Sequence, residues 1–186
     1  MSFKNKISGL VLLCGMALPS LTQAGVFELS AGFNYTASNY GDSNYSWTRR
    51  WGSSVGYHFS ELSEIEFAYQ DVVERVRITG YQDTTFHDQI YSADWVQAVV
   101  GKSFPIQPYF KLGLGQLNRN AEGNYGFGSS PPAILDSFTV VAGAGLRIYL
   151  TKEFGLRGEA TTYLIGGSIA TWQDNVSVTF GASVYF

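Results

Sequence analysis

Apolar residues return at every second position through most of the chain, from residue 26 to Phe186. The closing stretch, VSVTFGASVYF, is the cleanest case. Val176, Val178, Phe180, Ala182, Val184 and Phe186 share one parity; Ser177, Thr179, Gly181 and Ser183 share the other, where Tyr185 is the bulky exception. Side chains alternate across a strand, so this spacing describes strands with one greasy face and one small or polar face. Eight such segments can be read, at about 26–36, 46–59, 63–76, 89–103, 108–119, 137–150, 154–164 and 176–186. The fourth is ambiguous. Placing Val96, Ala98 and Val100 on the greasy face also puts Asp94 there, and leaves Trp95 and Val99 on the other.

The links between segments alternate in character. SELS, FPIQP and TKEF are short; ASNYGDSNY, RVRITGYQDTTFHD, NRNAEGNYGFGSSPPAILD and GGSIATWQD are longer and polar. Strict alternation of short and long links implies an antiparallel up-and-down meander with two unlike ends, as in transmembrane barrels. Only 15% of residues are charged, against about 25% in an ordinary soluble domain. No stretch in the body of the chain has the roughly 18 apolar residues of a spanning helix, so apolar surface that meets lipid must be carried on strands. In lipid every backbone N–H and C=O needs an internal partner, so such a sheet must close. The expected fold is all-β: an eight-stranded antiparallel up-and-down transmembrane β-barrel, with short periplasmic turns and longer extracellular loops.

Alternation alone does not say which face is inside. Residue size does. One face carries Phe, Trp, Tyr, Leu, Ile and Val; the other carries Gly, Ser, Thr and Ala with a few charges, which suits the narrow interior of a small barrel. Trp47, Trp51, Tyr57, Tyr69, Tyr109, Phe154 and Tyr163 lie near segment ends and are expected in interfacial girdles.

Residues 1–24 read differently. Lys4 and Lys6 precede the apolar run ISGLVLLCGMAL, Pro19 and Ser20 break it, and Thr22–Ala24 offers small residues for cleavage. A cleaved signal peptide over 1–24 and a barrel domain over 25–186 are expected. Lipidation at Cys14 is not, because Leu13 stands where known lipoprotein sites carry Gly, Ala or Ser. Without the two signal lysines the chain has 10 basic and 15 acidic residues, a net charge of −5. That argues against nucleic-acid binding, which needs a basic face.

The chain from 25 onward resembles the small eight-stranded outer-membrane barrels, the OmpA membrane domain and the OmpX/Ail type. PYFKLGLGQLN is similar to their central strands, VVAGAGLRIYLTKEFGLRGEAT to their sixth and seventh, and VTFGASVYF to their last, which typically ends on Phe. The resemblance implies a bacterial outer-membrane location and a last strand, with Val178, Phe180, Ala182, Val184 and Phe186 on one face, that the barrel-assembly machinery reads and that pairs with the first. It also implies a structural or surface-interaction role of the adhesion or host-defence type. Expected partners are outer-membrane lipid and lipopolysaccharide, the assembly machinery during insertion, and an extracellular protein or glycan; a monomer is expected.

Candidate site residues fall into two groups. Glu28, Arg50, Glu66, Lys111, Arg147, Arg157 and Glu159 have the parity of the small face and are expected as an interior charge network, since buried charges persist when paired. Tyr40, Tyr45, Tyr81, Phe86, Tyr125, Phe127 and Trp172 lie in the long links and suit protein or glycan contact. His58-Phe59-Ser60 echoes the His-x-Ser of outer-membrane lipid A deacylases, but falls at a short turn with His58 inward. Asp83, His87 and Asp88 lack close metal-ligand spacing. No catalytic residue, metal or cofactor is expected. A lipid-modifying enzyme and a small pore are the competing readings.

Overall fold

A computed structural model describes residues 26–41, 43–101, 104–124, 135–169 and 172–186. The expected signal segment, Cys14, Tyr125 and Phe127 lie outside them. Eight strands occur in chain order: β1 (Val26–Gly41), β2 (Asn44–His58), β3 (Ser63–Ile78), β4 (Gln82–Ala98), β5 (Ile106–Asn124), β6 (Leu135–Tyr149), β7 (Phe154–Ile165) and β8 (Val176–Tyr185). Each pairs antiparallel with the next, and β1 pairs with β8 to close the barrel. At that seam Glu28 faces Tyr185 and Phe33 faces Phe180. Phe27 and Phe186 exchange backbone hydrogen bonds of 3.2 and 2.9 Å, so the final residue takes part in closure.

The greasy face is outside. Leu29, Phe33, Val55, Phe67, Leu112, Leu114, Phe138, Leu146, Leu156, Val178 and Phe180 are all exposed. Aromatics join across neighbouring strands at the end of this belt away from the short turns: Trp51 lies 5.5 Å from Tyr69, and Tyr69 5.0 Å from Tyr91, ring centre to ring centre.

Two expectations are corrected and one open question is resolved. First, two of the long links are strand. β1 and β2 pair out to Gly41 and Asn44, and β3 and β4 to Ile78 and Gln82. At these two hairpins the far end of the barrel is built by strand overhang, whereas the links from Asn124 to Leu135 and from Ile165 to Val176 stay longer than the turns from His58 to Ser63 and from Tyr149 to Phe154. A tilted strand needs about 9–11 residues to span, whereas β5 has 19. Gly80, with φ of 75°, supplies the left-handed residue for the tight turn after β3. Polar composition misled here, because a strand standing in water needs no greasy face.

Second, the facing left open for β4 is resolved. Asp94, Val96 and Ala98 are buried in the interior, and Tyr91, Trp95 and Val99 face out. Turning Trp95 to the bilayer removes the cost of putting Asp94 there. Third, Tyr109 and Tyr163 are not girdle residues; both are buried inside. Their parity already matched Lys111 on β5 and Glu159 on β7.

Candidate functional site

The interior is layered. Nearest the short turns, Glu28 (β1), His58 (β2), Glu64 (β3) and Arg147 (β6) converge because their strands place inward residues at one height. Arg147 Nη2 donates to Glu64 Oε2 and lies 3.1 Å from Glu28 Oε2. His58 Nε2 sits 3.1 Å from Glu28 Oε2 and 3.7 Å from Glu64 Oε2. The Ser183 hydroxyl, from β8, donates to Glu28 Oε1 at 2.7 Å. Tyr185 and Tyr149 cover this layer, with ring centres 5.3 Å apart.

The next layer joins β3, β4, β5 and β7. Lys111 Nζ lies 2.6 Å from Glu159 Oε1, 3.3 Å from Glu66 Oε1 and 3.5 Å from Asp94 Oδ2. Arg157 binds Glu66 through Nη1 and Glu159 through Nη2, the latter at 2.5 Å. Its Nε donates to the Tyr109 hydroxyl at 2.6 Å, and that hydroxyl donates to Glu159 Oε2 at 2.7 Å. The Tyr109 ring lies beneath both guanidiniums, 4.7 Å from Arg147 and 5.0 Å from Arg157, which joins the two layers by cation–π contact. A cavity of about 50 Å³ beside Lys111, Arg157 and Glu159 is bounded by small residues including Gly32, Gly52 and Gly181. It has room for water next to the ions.

Ile90, Leu117, Val141 and Tyr163 then fill the lumen with an apolar layer. Beyond it lies a second ionic group. Arg119 donates to both oxygens of Asp88, at 2.7 and 2.6 Å. Arg50 belongs here rather than to the main network. Its guanidinium stands 5.6 Å from the Tyr163 ring centre, and its Nε and Nη1 have no hydrogen-bond partner. The lumen is therefore cross-braced at one height and greasy at the next.

All seven charged residues expected inside point inward, but Arg50 stands apart. Three members of the network were not assigned from sequence. Glu64 shares parity with Glu66, His58 shares it with Arg50, and Asp94 needed the register of β4.

Outside, the candidates scatter. Tyr40 and Tyr81 are exposed at the hairpin tips, and Trp172 is exposed in the 3-10 turn Trp172–Asn175. Tyr45 is half-buried within β2 with Arg75 5.9 Å from its ring centre. Phe86 is a half-buried β4 residue beneath Arg119, at 5.4 Å, rather than a loop residue. Asp83, His87 and Asp88 part company. Asp83 takes two hydrogen bonds of 3.1 Å from Arg75, which hold its carboxyl below the usual Asp range. His87 Nε2 pairs with Asp71 at 2.8 Å on the outer wall, and Asp88 turns inward to Arg119. Ser60 of the His-x-Ser triplet receives the backbone N–H groups of Leu62 and Ser63 in the turn, while His58 points into the barrel.

The family model for the outer membrane protein beta-barrel domain matches residues 8–186. The chain belongs to this outer-membrane β-barrel family. Its short turns accordingly face the periplasm and its overhanging strands the cell exterior. Among solved structures, this barrel is similar to the N-terminal β-barrel domain of Pseudomonas aeruginosa OprF, at 18% identity and a TM-score of 0.60, covering 88% of this chain and 98% of that one. It is also similar to the attachment invasion locus protein Ail of Yersinia pestis, solved with the heparin analogue sucrose octasulfate, at 18% identity and TM-score 0.55, covering 88% and 100%. Neisserial surface protein A matches at 16% identity and TM-score 0.52, over 88% and 98%. These likenesses establish the fold. No curated protein matches the chain in sequence.

Proposed function

We propose that this outer-membrane barrel is a non-enzymatic surface protein, made with a cleaved signal over 1–24, whose external hairpins contact an extracellular protein or glycan. The observation that carries this is the overhang. β1–β2 and β3–β4 continue as paired strands beyond the aromatic row of Trp51, Tyr69 and Tyr91, and present Tyr40 and Tyr81, 69% and 53% exposed, at their tips. Paired strands hold aromatic side chains at lower entropic cost than free loops do, which suits a recognition surface. The solved Ail complex with a sulfated sugar is in keeping with a glycan partner. The outward row Val178, Phe180, Ala182, Val184 and Phe186 serves as the signal for the assembly machinery, and the belt meets outer-membrane lipid and lipopolysaccharide as a monomer.

The test compares cells displaying the wild-type barrel with cells displaying a triple variant, Y40S, Y81S and W172S, for attachment to immobilised matrix proteins and glycans. Attachment should require the barrel and should fall at least about tenfold in the variant, since aromatic anchors dominate such surfaces. Both proteins should still migrate as heat-modifiable barrels. Attachment no greater than that of cells without the barrel, or unchanged in a folded variant, overturns the proposal.

A further inference from the structure

The interior layers differ in charge balance. Beyond the apolar layer, Glu74 of β3 faces Arg50, Arg119 and Asp88, so two cations offset two carboxylates there. On the periplasmic side five buried carboxylates, Glu28, Glu64, Glu66, Asp94 and Glu159, face only three permanent cations, Lys111, Arg147 and Arg157. Two negative charges are left over among the described residues. Uncompensated charge in a closed interior is costly. Two of the five, Glu64 and Asp94, are each 1% exposed and each has one oxygen, Glu64 Oε1 and Asp94 Oδ1, that accepts no hydrogen bond; Asp94 has Lys111 beside its other oxygen, and Glu64 has Arg147 and His58 beside its own.

His58 Nε2 lies 3.7 Å from Glu64 Oε2. One ligand atom each from Glu28, His58 and Glu64 lie within 4.8 Å of one another. Ligands on a tetrahedral zinc ion at about 2.0–2.1 Å stand roughly 3.3–3.4 Å apart. The spacings from His58 Nε2, 3.1 Å to Glu28 and 3.7 Å to Glu64, bracket that value. The three residues come from consecutive strands, β1, β2 and β3, whose pairing fixes their heights. The Ser183 hydroxyl already orients Glu28 through its other oxygen, as outer partners of metal-binding carboxylates do.

We propose that Glu28, His58 and Glu64 form a site for one divalent transition-metal ion of the zinc class. An imidazole with two carboxylates suits that class. With His58 neutral, a divalent ion cancels the two excess charges. Arg147 now spans the same two carboxylates. On metal binding it yields the shared oxygens and remains their outer-sphere neighbour. The site braces the periplasmic mouth, next to the β1–β8 seam, by tying three strands to one ion.

The test uses the folded barrel in detergent, stripped with chelator, exposed to Zn²⁺ and freed of unbound metal by gel filtration. Bound zinc is measured by mass spectrometry, and stability by the temperature at which the folded gel band is lost. The wild type should hold about one zinc per chain and lose its folded band at a higher temperature with zinc than without, because a ligand of the native state stabilises it. H58N and E64Q should each lose both effects. The chain has two histidines, so H87N, at the outer-wall pair with Asp71, is the control and should retain both. Absence of stoichiometric zinc in the folded wild type overturns the proposal. So does stoichiometric zinc that survives in folded H58N or folded E64Q, or that vanishes in H87N. If H58N does not fold, the wild-type stoichiometry and E64Q still decide.

Discussion

Replacing Arg157 by Met tests the interior network at its most connected point. Arg157 is 9% exposed and lies on four partners: Glu66, Glu159, Tyr109 and, at 3.7 Å, Glu28. Methionine keeps much of the aliphatic stem and removes the charge. Glu66 is then left to Lys111 at 3.3 Å, and Glu159 to Lys111, Thr161 and Tyr109 at 2.6, 2.6 and 2.7 Å. One ammonium, already 3.5 Å from Asp94, must then serve two further carboxylates that had two cations. Breaking a buried ion pair from one side costs about 3–5 kcal/mol, because a desolvated charge is stranded. With a urea slope of about 2 kcal/mol per M, the unfolding midpoint should fall by about 2 M. The assay is urea unfolding of the barrel in lipid vesicles, followed by tryptophan fluorescence and by loss of the fast gel band. Adding Glu66→Gln and Glu159→Gln removes the stranded charges while keeping shape, so the triple variant should recover part of the loss. A midpoint within about 0.5 M of wild type for R157M, or a triple variant less stable than R157M, would refute the reasoning that these ions hold one another in place.

Other expectations follow from the same structure. R50M should lower stability by less than R157M does, about 1–2 kcal/mol, because Arg50 forfeits two hydrogen bonds where it stands but still offsets Glu74 and Asp88, which are then left to Arg119; the urea midpoint reads this directly. G181V should prevent closure of the seam: even a Cβ at Gly181 would lie 2.2 Å from the Ala31 carbonyl and 2.9 Å from Gly32 Cα, so heat-modifiable protein should be lost while G158A, whose Cβ would meet only the Phe180 ring at 3.5 Å, folds. Asp83 should titrate below its ordinary value of 3.8 because Arg75 bonds its ionised form. Its support for the β3–β4 hairpin is complete above the unfolded-state pKa and disappears as pH falls through the lowered folded-state pKa. Carbon-13 NMR of the side-chain carboxyl should show the shift in the wild type and its loss in R75A.

Much of the fold is legible in the sequence. Period two fixed the eight strands, and the size difference between Val178-Phe180 and Thr179-Gly181 fixed which face is out, because a small barrel cannot hold two bulky faces. The same parity placed Glu28, Glu66, Lys111, Arg147, Arg157 and Glu159 inside. Residue type misled where it was allowed to override parity. Tyr109 and Tyr163 resemble girdle residues, yet each shares its strand face with charges. The polar links before β2 and β4 resemble loops, yet their backbone groups pair across the hairpins.

Tertiary structure decided what depends on height around the barrel. A strand's own sequence gives the direction of each side chain but not its level against a strand sixty residues away. Register sets that level. It brings Glu28, His58 and Glu64 to one point with Arg147, puts Lys111 between Glu66, Asp94 and Glu159, and separates Arg50 from them by Ile90, Leu117, Val141 and Tyr163. It also settled β4, whose two faces are nearly equal in greasiness. There the deciding term was the ionic partner: Asp94 has Lys111 at 3.5 Å only when it points inward. Alternation is a local property fixed by the geometry of one strand, whereas ion pairing in a closed barrel is a property of strands brought level by closure.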